Sequence, residues 1–326
     1  MSTQTRIPFV DAIKGLAIVG VLFVHMGFAS RFDEGTLADV RMLQRIFGWC
    51  VLAFFFASGC LHTGAGAAEQ DWKAFILRRA RRLLVPCAAF SWVYKALLLA
   101  AKAGGFIAAA HAPALQTTAD FTAFVFTPVV PQFYFLVHLF CIAVAVFPFV
   151  RLGWLRQPWV PWLIAAILLQ SYWLLPLDLP HGEALTQLPL YAASYLAGIG
   201  FARSIETEKW RGFRHAGGML LFGAAVAAAS VARPQVLHAV APPLLAAFAM
   251  LLPLRALAPA VTLGRHSGAV YVWHAPILMP VISILLTKLP LSGWPLIAAM
   301  TVLTLGITLW IDSVVRRFDT IGIFRL

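Results

Sequence analysis

Three ionisable side chains, Asp11, Lys14 and His25, stand in the apolar stretch FVDAIKGLAIVGVLFVHMGFA, residues 9–29. A helix turns ~100° and rises ~1.5 Å per residue, so Lys14 and His25 share a face about 16 Å apart along the axis. Asp11 falls on the same stripe. Ionisable groups inside a membrane helix are costly and face a cavity or a partner. Asp11 and Lys14 read equally as an i,i+3 pair at the headgroups. His25 lies deeper, and histidine, which titrates near neutrality, is the usual general base for a hydroxyl.

A second group of chemically capable residues lies in FILRRARRLLVP: Arg78, Arg79, Arg81 and Arg82. Arginine suits planar, bidentate recognition of phosphate, and pairs three apart face one way on a helix. Such a cluster also serves simply to set topology or to meet anionic lipid. The lone histidines His62, His138 and His274 each have a plain reading as packed, hydrogen-bonded core residues. The glycines Gly64 and Gly66 lack the Lys-Ser/Thr of a phosphate loop and read as a turn. Zinc-ligand spacing and a nucleophile elbow are missing, so no metal is expected. The cysteines Cys50, Cys60, Cys87 and Cys141 fall in apolar segments and read as small buried hydrophobes without a disulfide.

The elements that must position these groups are membrane helices. The chain of 326 residues is 61% hydrophobic and 12% charged, which indicates an all-α polytopic membrane protein, one bundle over residues 1–326. The net charge of +12 does not indicate nucleic acid, because the basic residues sit in short loops between apolar runs. Ten candidate spans run near 9–29, 46–63, 84–103, 133–150, 158–176, 187–202, 214–232, 236–253, 267–288 and 293–314. No cleaved signal peptide is expected, since Asp11 and His25 spoil the pattern around Gly27 and Ala29. With both termini cytoplasmic, eighteen Lys and Arg residues fall on the cytoplasmic side against six outside, and Lys95 is left within a span. That satisfies the positive-inside rule. It puts His25 and His138 toward the outer side, His274 in the inner third and His62 at the inner end. The outer loop 104–132 is roomy enough to roof a cavity.

The residues together resemble the membrane acyltransferase-3 family, which includes O-antigen and nodulation-factor acetylases and fucose 4-O-acetylase-like proteins. The matching pieces are Arg6…Asp11-x-x-Lys14-Gly15…His25, then Phe54-Phe55-Phe56-Ala57-Ser58-Gly59, then Arg78…Arg82-Leu83-Leu84-Val85-Pro86. Phe133-Tyr134-Phe135-Leu136 and Leu263-Gly264…Ser267…Tyr271…His274 complete the series. The resemblance implies an inner-membrane bacterial enzyme that moves an acyl group, acetyl foremost, from cytoplasmic acyl-CoA to a hydroxyl of an extracytoplasmic carbohydrate or glycolipid. It matches His25 to the family's catalytic histidine and Arg78, Arg79, Arg81 and Arg82 to its cytoplasmic Arg-x-x-Arg element, which would take the phosphates of acetyl-CoA. Beside these, Asp11 and Lys14 are expected to serve catalysis with His25, and Tyr134, His138 and His274 to bind the acceptor. Lys14 replaces an arginine found in many members, keeping charge but losing the fork. Asp11 lies roughly 21 Å from His25 at helical rise, so the group orienting His25 must come from another helix, with His138 a candidate. The rival reading is a transporter or flippase in which Asp11, Lys14 and His25 line a path.

Overall fold

The computed structural model describes residues 7–26, 32–63, 71–104, 133–174, 186–206, 213–231, 234–286 and 288–318. All its regular elements are helices. They are α1 (Pro8–Met26), α2 (Glu34–Ile46), α3 (Cys50–His62), α4 (Trp72–Ala103), α5 (Tyr134–Arg151), α6 (Trp159–Leu174) and α7 (Leu188–Glu206). Then follow α8 (Phe213–Ser230), a 3₁₀ segment (Pro234–Val240), α9 (Ala241–Leu251), α10 (Leu254–Arg265) and α11 (Ser267–Trp273). A π turn (His274–Leu278), α12 (Met279–Leu286) and α13 (Gly293–Phe318) end the series. Among the described residues four stretches are long and apolar enough to cross a membrane: Pro8–Met26, Glu34–His62, Tyr134–Arg151 and Gly293–Arg317. Of the outer loop 104–132, expected as a roof, residues 105–132 lie outside the described residues, as does the Gly64–Gly66 turn.

α1 is the hub. Val10, Ala12, Ile13, Ala17, Ile18, Val21, Leu22 and Met26 are all at most 1% exposed, so it is apolar and enclosed on most of its circumference. Such a helix belongs in the middle of a bundle. On one side it lies against α10, and a Cβ on Gly15 would strike the carbonyl of Ala260 while one on Gly264 would strike that of Asp11. As numbering rises along α1 it falls along α10, so the two are antiparallel. Small residues let membrane helices approach this closely. The same device joins α3 to α7, where Gly59 faces the Tyr195 carbonyl and Gly198 that of Phe56.

Three findings alter the sequence-based outline. Residues 34–46 and 254–265, expected as an outer and a cytoplasmic connection, are helical. α2 starts at Asp33, whose carboxylate accepts the Thr36 N–H at 2.9 Å and the Thr36 hydroxyl at 2.7 Å, the usual N-cap device. The expected third span and the arginines that precede it form one helix, α4, 32 residues long with Pro86 inside it. Cys141 is exposed rather than buried, because it points out of α5 away from the face that packs on α3.

Candidate active site

One end of the bundle gathers the histidines. His25 closes the last turn of α1, is half-buried, and lies ring to ring with His274 at 5.1 Å between centroids, tilted by 53°. This corrects the expectation that His274 occupies the opposite third of the membrane. The ninth span is broken from His274 onward. Pro276 has no N–H to give the carbonyl four residues back, so the helix slips into a π turn closed by Met279 N–H donating to the His274 carbonyl. His274 is fully buried. Its Nδ1–H donates to the carbonyls of Tyr271 at 2.7 Å and Val270 at 3.0 Å.

A belt of rings runs from this pair into α5 and α7. Tyr271 lies 5.9 Å from His274 and 5.2 Å from Phe135. Phe55 joins Phe135 at 5.1 Å to Tyr191, on which it stacks at 4.7 Å. His138 is engaged at the far end of the belt: its Nδ1–H donates to the Tyr134 carbonyl at 2.6 Å, and its ring meets those of Tyr134 and Tyr191 edge-on. The His274 ring thus lies against His25, while His138, the candidate named from the sequence, is engaged with Tyr134 and Tyr191. Tyr134 and Tyr191 hydroxyls lie 3.2 Å apart. Tyr191 spends its proton on the Gln187 side chain, so Tyr134 must supply the proton between the two phenols.

The other end gathers the cations. Arg78, Arg81 and Arg82 are exposed on α4, while Arg79 is half-buried with its guanidinium 5.4 Å from the centre of the Phe75 ring. Phe75 stacks on Phe147 at 4.1 Å and on His62 at 5.2 Å. His62 Nδ1 and the Tyr195 hydroxyl are hydrogen-bonded at 2.5 Å, so His62 is a packed residue beside the arginines. The four arginines thus divide: Arg79 turns inward and the other three reach outward. Asp11 and Lys14 form the expected i,i+3 ion pair at 2.8 Å. They sit where α10 crosses α1, and eleven residues separate Lys14 from His25, about 16 Å of helical rise.

α4 connects the two ends. From Arg82 it rises about 12 Å in eight residues to Phe90, which packs edge-on against Trp273 at 4.9 Å. Trp273 immediately precedes His274. Pro86 between them leaves the Arg82 carbonyl without its helical donor. Sequence reasoning passed over Phe90, Trp273 and Tyr191. Only Pro276, two places after His274 in YVWHAP, was a signal for the π turn. It also missed a buried carboxylate, Asp312, 2% exposed, which accepts from His266 Nδ1–H at 2.5 Å and from Arg316 Nε–H at 2.7 Å.

A half-buried histidine at one end, a cluster of arginines at the other and a single helix between them suit transfer of a group from an anionic carrier. A family model described as an acyltransferase domain matches residues 7–312. The chain belongs to the acyltransferase-3 family. It is a membrane acyltransferase, and His25, Arg78–Arg82, Tyr134 and His274 all fall inside the matched region. No curated protein and no solved structure gives a significant match. No group of metal-ligating side chains occurs among the described residues of this acyltransferase.

Proposed function

We propose that this acyltransferase moves an acetyl group from cytoplasmic acetyl-CoA to a hydroxyl of a carbohydrate or glycolipid on the outer side of the bacterial inner membrane. The donor's phosphates rest on Arg79 and its exposed neighbours Arg78, Arg81 and Arg82. The pantetheine arm follows α4 toward Trp273, which delivers the thioester to His25. His25 takes the proton of the acceptor hydroxyl as its oxygen attacks the thioester carbonyl. The tetrahedral intermediate collapses with cleavage of the C–S bond, and the thiolate of CoA recovers the proton from the imidazolium. Tyr134 and His138, at the far end of the ring belt, face the acceptor. Asp11 and Lys14 belong to the donor half, where Asp11 holds the lysine charge. The observation that carries this reading is the path of α4 from Arg82 to Phe90 and Trp273, the neighbour of His274.

The test uses purified protein in proteoliposomes with acetyl-CoA, together with mass spectrometry of surface and periplasmic glycans from a deletion strain. Thioester loss in the liposomes and loss of an ester-linked acetyl group from the strain's glycans are expected. Unchanged glycans and intact acetyl-CoA would refute the reading, and sugar flux without thioester loss would establish the transport alternative.

A further inference from the structure

We infer that His274 is the positioning residue for His25, an inference that rests on the reading of His25 as the general base. Both partners of His274 Nδ1 are backbone carbonyls, the Tyr271 oxygen at 2.7 Å and the Val270 oxygen at 3.0 Å. A carbonyl only accepts, so Nδ1 carries the proton, and in the neutral imidazole Nε2 is a bare lone pair. That Nε2 is buried and has no hydrogen-bond partner among the described residues. Buried acceptors are normally satisfied, and an orphan in a native structure calls for an explanation. The explanation lies alongside: the His25 ring, 5.1 Å away between centroids.

The backbone is shaped for this contact. π turns are rare and recur at functional sites, and this one begins at His274 itself. Its ring is fixed twice over, by the two carbonyls and by the ring of Tyr271, whereas His25 is half-buried. A rotation of His25 about its side-chain bonds brings one of its N–H groups onto His274 Nε2. The other His25 nitrogen then holds the lone pair that takes the hydroxyl proton. When His25 takes the hydroxyl proton, the positive charge on its imidazolium is met by the His274 lone pair. His274 cannot pass a proton onward, because its own is held by two carbonyls. This is the part played by the buried carboxylate of a hydrolase triad, carried out by a neutral ring. Its contribution is smaller for that reason, and it acts on the tautomer and orientation of His25 rather than on donor binding.

The experiment compares His274→Gln, His274→Asn and His274→Phe with the parent and with His25→Ala, in proteoliposomes, by thiol release from acetyl-CoA. Membrane abundance and monodispersity are checked for each. The Gln side chain can set an acceptor oxygen near the position of Nε2, whereas Asn is too short and Phe has none. Loss of the outer partner of a working histidine costs roughly 10–100-fold, and here that loss is expected in kcat for Asn and Phe. KM for acetyl-CoA should stay at the parental value, and Gln should remain within a few-fold of the parent. A fall in kcat with constant KM marks a contact made in the transition state, which general loosening of the bundle would not produce. Phe at parental kcat, or Gln and Asn equally impaired, would overturn the inference. If Phe does not accumulate, the Gln–Asn pair decides, since both bury the same amide. Loss of activity in His25→Ala with active His274→Asn would remove only this inference, whereas an active His25→Ala would remove the underlying reading as well.

Discussion

At one end of the bundle Arg78, Arg81 and Arg82 stand exposed around a half-buried Arg79, with Phe75, Phe147 and His62 stacked beneath it. At the other end the polar groups are imidazoles and phenols, with His274 fully enclosed and anchored on backbone carbonyls. The first end is built from charges that water and headgroups can solvate. The second is built from neutral polar groups in an apolar surround, where every hydrogen bond is fixed and an unmet acceptor is costly. A carrier with several phosphates tolerates a loose cradle, because charge attracts over a distance. Proton transfer requires atoms at hydrogen-bond distance, so its end must be rigid.

That difference predicts unequal costs. The largest is expected for His25→Ala, which removes the proposed general base. Acetyl transfer should fall by roughly 10²–10⁴-fold at equal membrane abundance and with unchanged acetyl-CoA affinity. Transfer within a few-fold of the parent would take His25 out of the mechanism.

Next comes the crossing of α1 and α10, which couples the ends mechanically. A Cβ at Gly264 meets the Asp11 backbone, whereas one at Gly306 on α13 meets nothing within 4 Å. Overpacking a closed contact costs typically 1–3 kcal/mol, so Gly264→Ala should lower the thermal midpoint in detergent and shift His25 with α1. Gly306→Ala should leave the midpoint unchanged or raise it, because alanine favours a helix over glycine by up to ~1 kcal/mol. Equal midpoints for the two variants would mean that the crossing does not hold α1 in place.

A smaller, graded effect is expected at the arginine end. Charge-assisted hydrogen bonds contribute about 1.5–3 kcal/mol each, so Arg79→Ala should weaken acetyl-CoA binding by roughly tenfold or more. Arg79→Lys should recover part of it, keeping charge but not the fork. Arg78→Ala and Arg81→Ala should cost less, since exposed charges are screened. Titration of acetyl-CoA into each purified variant would show this order. Four silent substitutions would leave the cluster a topology signal only.

The smallest effect is at Asp33, at the histidine end. The Thr36 backbone N–H and hydroxyl hold its carboxyl below the ordinary value of 3.8. A depressed carboxyl stabilises the fold above its unfolded value, and that contribution is lost as pH falls through the lower folded one. Acidification below about 3.8 should therefore loosen the start of α2. Asp33→Asn caps without titrating, so it should match the parent at neutral pH and lose less stability in acid. Thermal melts at both pH values would reveal any failure of this pattern.

The helical, membrane-type character of the chain was legible in the sequence because it follows from composition and length: long apolar runs have one outcome in lipid. The ion pair of Asp11 and Lys14 was legible too, being set by i,i+3 spacing within one helix. α10 was not, since Arg255 and Arg265 at its ends gave it the charge pattern of a loop, and its helix is stabilised by packing on α1. The partner of His25 was hidden for a similar reason. His274 is 249 residues away in the chain, and counting spans set it at a different depth from His25, with which it is in ring contact. Local sequence determined which residues could carry charge or a proton and which stretches would be helical. Only the tertiary structure decided which of them meet: that depends on how glycine crossings set α1 against α10 and on a one-residue slip at Pro276, and both arise from contacts between segments far apart in sequence.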